Sequence, residues 1–220
     1  MPKQAVVWEP LETDSLFEQM ELDRAGLEHA IRYAEQERSF VTSNDPLGFG
    51  SYLVYGKMGR ALREWYLPKG WVRDNSNNQT AIKHPKKMIR VVPCNFNEYA
   101  GDRFYTPTNK APKGEISRKK AASNMNTWLP GLEPPVIDPN LNDGYQTWIL
   151  GAHVDDVRPT GAELSFPIAF DGSHFTRFGT RIILISGDDG GAGGRKTGEP
   201  NSGSSGNDAV GIVDIAIKRK

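Results

Sequence analysis

The apolar residues of this 220-residue chain change their spacing part-way along it, and that change restricts the folds open to it. Between Leu16 and Ala34 they fall on one helical face at spacings of three, four and seven, at Leu16, Met20, Leu27, Ala30, Ile31 and Ala34. Those spacings match the turn of an amphipathic helix. Beyond residue 144 the apolar positions are rich in β-branched and aromatic side chains, grouped in runs bounded by Gly, Asp or Pro, as in successive strands without intervening helices. The expected class is α+β, a helical N-terminal half packed on a largely antiparallel C-terminal β-sheet or sandwich.

Ser15 and Glu18 stand at capping-box spacing, so a helix is expected from about residue 14 to residue 38, with a weak point at Gly26. Asp45-Pro46 and Gly48 close it. A second helix is expected over 51–66, where Leu53, Val54, Met58, Ala61, Leu62 and Trp65 can share a face before Pro68. Short strands should follow at 70–73, 80–83 and 88–92, divided by the turn formers at 74–78 and by His84-Pro85. Residues 95–114 read as a long ordered loop and 115–128 as a short basic helix.

Pro134, Pro135 and Pro139 make 132–140 unsuited to a helix or a central strand, and this stretch reads as a connector. The chain then divides into a basic N-terminal subdomain, 1–131, and an antiparallel β subdomain, 141–220, unless the two are continuous. Strands are expected at 145–154, 162–170, 181–186 and 210–218. The Gly-rich segment 187–208 contains no large apolar side chain. Ordering it would cost about 1–2 kcal/mol per residue with nothing buried in return, so it should be mobile unless a partner holds it. Its Gly194-Arg195-Lys196-Thr197 is no Walker loop, because Arg195 separates Gly from Lys and the Gly- and Pro-containing residues 198–203 cannot readily start the required helix.

Cys94 is the single cysteine, which rules out an intramolecular disulfide and points to a reducing, cytoplasmic setting. The first ten residues lack the apolar core of a signal peptide, and no uncharged apolar run approaches the ~20 residues of a membrane span. No cofactor or metal motif is found: Gly-x-Ser-x-Gly, His-Glu-x-x-His and Cys-x-x-Cys are all absent, and Cys94 reads as a small core residue.

The net charge of zero hides an uneven distribution. Residues 51–120 hold 15 Lys and Arg against 5 Asp and Glu, whereas residues 1–50 hold 4 against 10. Within the middle segment, Lys57, Arg60, Arg63, Lys83, Lys86, Lys87, Arg118, Lys119 and Lys120 are interleaved with Tyr52, Tyr55, Trp65, Tyr66, Trp71, Phe104 and Tyr105. Cations neutralise phosphates and exposed aromatic faces stack on bases, so these nine cations are the candidate nucleic-acid contacts. The same charges could instead pair with the acidic first helix, inside one fold or between copies in a homo-oligomer or protein complex. A third candidate is a hydrolase-type site at His153, Asp155 and Glu163, since His153 and Asp155 are two apart on an expected strand and Glu163 begins the next. The expected function is a non-enzymatic binding or assembly protein without a membrane anchor, contacting nucleic acid through its basic middle; assembly without nucleic acid and the His153 enzyme are the alternatives.

Overall fold

The computed structural model describes residues 5–7, 10–128 and 143–187. The elements are β1 (Ala5–Val7), α1 (Pro10–Met20), α2 (Arg24–Arg38), α3 (Phe49–Tyr66), β2 (Val72–Asp74), β3 (Ala81–His84), β4 (Ile89–Asn95), α4 (Glu115–Trp128), β5 (Gln146–His153), β6 (Gly161–Asp171) and β7 (His174–Ile185). The protein is α+β. Its sheet has seven strands in the order β1-β7-β6-β5-β4-β3-β2. The β2–β3–β4 and β5–β6–β7 runs are antiparallel, while β4–β5 and β1–β7 are parallel. Segments on both sides of residues 129–142 thus build a single sheet; the connector, the expected strand at 210–218 and the Gly-rich loop beyond Gly187 lie outside the described residues.

The expected long first helix is two helices. Its interruption falls at Glu21–Asp23 rather than Gly26: Glu21 adopts φ 54°, and Asp23 caps α2 by accepting the Gly26 N–H at 2.6 Å. Gly26 sits in the first turn of α2, where a Cβ would lie 2.4 Å from the Trp65 ring of α3. The capping-box start at Ser15 also shifts, because α1 begins at Pro10, a residue suited to a first helical turn. Strand β7 starts at His174, seven residues before the expected 181, and forms a long hairpin with β6 through Gly172 at φ 56°.

Side chains alternate across the sheet as the pleat requires. Ile82, Val91, Leu150, Leu164 and Ile182 face α2 and α3, packing on Leu27, Ile31, Met58 and Leu62. Ala81, Val92, Cys94 and Ile149 face the other way, with Phe96, Ala121, Phe175 and Phe178. Each such fully buried aliphatic or aromatic side chain is worth about 1.5–3 kcal/mol in removal from water.

Helix α4 enters the sheet where β5 and β6 part. Asn124 accepts the Thr147 N–H at 2.9 Å and donates to the carbonyls of Thr147, at 2.7 Å, and Pro167, at 2.9 Å. One amide side chain therefore takes the place of a neighbouring strand, opposite a proline that has no N–H of its own to give.

Candidate functional site

Of the three expected enzyme residues, two come together. His153 ends β5, and its Nε2 lies 2.7 Å from Asp155 Oδ2, without the alignment of a hydrogen bond. Asp155 stands just past the strand and accepts the backbone N–H groups of Val157 and Arg158, at 2.9 and 2.8 Å. Burial works to raise its carboxyl, but those two N–H groups and the imidazole hold it below the usual carboxylate range. Glu163 is committed elsewhere. Its carboxylate takes Arg181 Nε at 2.9 Å and Nη2 at 2.5 Å, the Gly101 N–H at 3.0 Å, and the Ser165 hydroxyl. Among the described residues no group of three or more His, Cys, Asp or Glu could hold a metal ion.

The nine expected cations divide into two sets. Lys57 pairs with Glu37 of α2, Arg60 with Glu64 at 2.8 Å, and Arg118 with Glu115 at 2.7 Å. Arg63 ties α3 to the sheet edge through the carbonyl of Asp74 at 3.1 Å and Asn75 Oδ1 at 2.6 Å. Lys83 lies over the Tyr145 ring, Lys87 is 3.5 Å from Glu21, and Lys86 is exposed in the β3–β4 turn. Lys119 is half-buried on α4. Lys120 is different, because it turns into a cleft.

That cleft is bounded by Tyr55 of α3, Val92–Cys94 of β4, Lys113, and Ser117 and Lys120 of α4. A second, more open hollow, between Ser51, Tyr52, Asn95 and Ala111, shares Tyr55 and Lys113 with it. A third adds Lys110 and His153 and shares Ser51 and Asn95 with the second. The three run in series along the mouth between α3 and the 95–113 segment.

The chemistry of the first cleft is one-sided. Neither Lys113 nor Lys120 forms an ion pair with a carboxylate of the described residues. Lys120 Nζ donates to Gln79 Oε1 at 2.5 Å, and Gln79 donates in turn to Ser117 Oγ at 3.1 Å. The Tyr55 hydroxyl accepts the Thr80 N–H at 2.8 Å. Both hydroxyls are occupied as acceptors, which leaves their hydrogens to donate. Burial, and then the nearby Arg90 guanidinium, push the Lys120 ammonium down to about 8 against the opposing pull of the Asp74 and Asp143 carboxylates, which Arg90 itself pairs. Cys94 is buried at the cleft wall and its thiol is pushed up by burial, so it is no nucleophile. Two ammonium groups and two hydroxyl donors around an apolar floor, with no carboxylate among the described lining residues, give the cleft the chemistry to accept an anion.

Next to this mouth, the loop after β4 is pinned to the sheet. Asn97 N–H donates to the Thr108 carbonyl at 2.9 Å and Lys110 N–H to the Asn95 carbonyl at 2.9 Å, joining the loop's ends. Arg181 donates to the carbonyls of Asp102 at 2.9 Å and Tyr105 at 3.0 Å. Gly101, at φ 72°, lies so close to the Ile185 carbonyl that a Cβ would stand 2.2 Å from it. Gln79, Lys110, Ser117 and Arg181 fall outside the expected contacts, whereas Lys113 belongs to the run of cations in the basic middle segment. Only Lys110 and Lys113 carry a sequence signal, as cations flanking Pro112 in a segment poor in aliphatic residues. No family model matches this chain, and neither does a curated protein or a solved structure.

Proposed function

We propose that this protein binds single-stranded nucleic acid without reacting on it, holding backbone phosphates in the cleft between α3, the 95–113 segment and α4. The observation that carries this reading is the pairing of Lys113 and Lys120 in one part-buried cleft with no carboxylate partner among the described residues. Like charges gathered out of water are costly unless an anion joins them. The hollow at Tyr52, whose ring is 70% exposed, continues the path and offers a face on which a base can stack. A buried free thiol at Cys94 is in keeping with a reducing, cytoplasmic location.

The experiment is a binding isotherm on labelled single- and double-stranded DNA and RNA across a salt series, with the oligomeric mass recorded in the same buffers. Lys113→Ala with Lys120→Met should weaken binding to single strands and make the slope of log K against log salt shallower by about 1.4, the value for two lost phosphate contacts. An unchanged slope would remove the cleft from the binding path. A stable oligomer with no affinity for any of the four probes would favour assembly as the role of the charge pattern.

A further inference from the structure

From the loop after β4 we infer a second contact, one that rests on the nucleic-acid reading above and specifies what it grips: a stacking platform for bases, made of Tyr99, Phe104 and Tyr105. Tyr99 and Tyr105 already stack on each other, with ring centroids 5.1 Å apart and planes 27° from parallel. The two tyrosines remain 37% and 49% exposed, and Phe104, next to Tyr105 in the chain, is 76% exposed. Three aromatic rings on one short loop contribute little to the core from such positions, whereas a flat, open stack suits another flat ring.

The platform is held rigid from below. Asp102 accepts the N–H groups of Phe104 and Tyr105, at 2.6 and 3.0 Å, while the buried Arg181 holds the carbonyls of Asp102 and Tyr105. Glu163, on the adjoining strand, orients Arg181 and takes the Gly101 N–H. A buried ion pair is a weak stabiliser compared with apolar packing, but its fixed hydrogen-bond directions can set the geometry of what lies above. Here those directions fix the backbone that carries the aromatic rings, so little conformational freedom is left to lose on binding.

Charge favours a nucleic-acid occupant. The loop's base leads directly to Lys110 and Lys113 in the phosphate-binding mouth, and its one exposed carboxylate is Glu98. Phosphates on the lysines and bases on the rings together describe a single strand with its bases turned out.

The test compares a 20-nucleotide oligothymidylate with an abasic oligomer of equal length and charge, binding to wild type and to a Tyr99→Ala/Phe104→Ala variant. Both replaced side chains stand at the surface, and thermal unfolding verifies that the variant is folded. The inference expects wild type to prefer the base-bearing oligomer, and the variant to lose roughly tenfold on it while keeping its affinity for the abasic one. Equal wild-type affinity for both oligomers, or a variant that binds oligothymidylate as wild type does, would overturn the platform and leave the cleft standing. Absence of binding to both at low salt would overturn the platform together with the reading on which it rests.

Discussion

Arg181 and Glu163 meet on adjacent strands with Nη2 and Oε2 2.5 Å apart, and neither side chain is more than 1% exposed. Removing one of them leaves the other charged and buried. Glu163→Gln or Arg181→Met alone should cost about 3–5 kcal/mol in urea unfolding. The double change Arg181→Met/Glu163→Leu should recover part of that stability, since no lone buried charge remains, while releasing the carbonyls of Asp102 and Tyr105 and the Gly101 N–H. Its near-ultraviolet circular dichroism should then lose tyrosine signal although the fold persists.

Lys120 should oppose stability to binding. Its ammonium titrates near 8 in the folded chain against 10.5 for an unperturbed lysine, so folding is penalised wherever the unfolded chain keeps its proton. The penalty is complete below about pH 8 and is relieved as pH rises from 8 towards 10.5. Affinity for a phosphate ligand runs the other way, falling as pH climbs through 8. Lys120→Met should therefore raise the melting temperature at pH 7 and weaken oligonucleotide binding, read by thermal unfolding and fluorescence anisotropy.

Asp74 should govern part of the acid transition. Burial works to raise its carboxyl, but the Ser76 hydroxyl and N–H, together with Arg90 Nε at 2.6 Å, hold it far below the usual range. A depressed carboxylate contributes stability that is complete above its unfolded pKa of about 4 and is lost as pH falls below it. Asp74→Asn should lower stability at pH 7 and flatten the acid limb, measured as urea midpoints between pH 3 and 7.

Asn124 bonds three backbone groups at the point where β5 and β6 separate. Asn124→Leu keeps the side-chain volume and leaves all three without that partner. Each buried backbone group left unsatisfied costs about 1–3 kcal/mol, so a loss of about 3 kcal/mol or more is expected. Hydrogen exchange at the Thr147 amide should accelerate by more than that at Leu150, which lies deeper in the sheet.

The parts of the fold legible in the sequence are those whose signals are local. Helix α4 spans 115–128 as its spacing and flanking prolines imply, and β5 and β6 follow their β-branched runs. The end of α1 is harder to place because Gly26 has the look of a helix breaker, when Asp23 supplies the cap and Gly26 makes room for Trp65. Strand β1 gives no signal, since three residues acquire their meaning only from Thr180–Ile182.

The candidate sites show the same limit. Glu163 looks available as a site residue because nothing local marks Arg181, eighteen positions on, as its partner. The basic segment is a true concentration of charge, but Glu37, Glu64 and Glu115 take up Lys57, Arg60 and Arg118. Two of those pairs lie at helical three- and four-residue spacings that the sequence already contains. Lys113 and Lys120 stand apart only in three dimensions, where they line one cleft and neither forms an ion pair with a carboxylate of the described residues.

The parallel pairing of Ala5 with Thr180 also sets a timetable. The two positions are 175 residues apart, so at about 5–20 residues per second the ribosome delivers the partner on the order of 10–35 s after β1 has emerged. The β2–β3–β4 run can close in the meantime, whereas the β5–β6–β7 run is completed by the same strand that pairs with β1. β1 is thus seated only once β7 is made, and any nascent-chain factor that holds it would meet an unpaired edge of three residues while β2, β3 and β4 assemble.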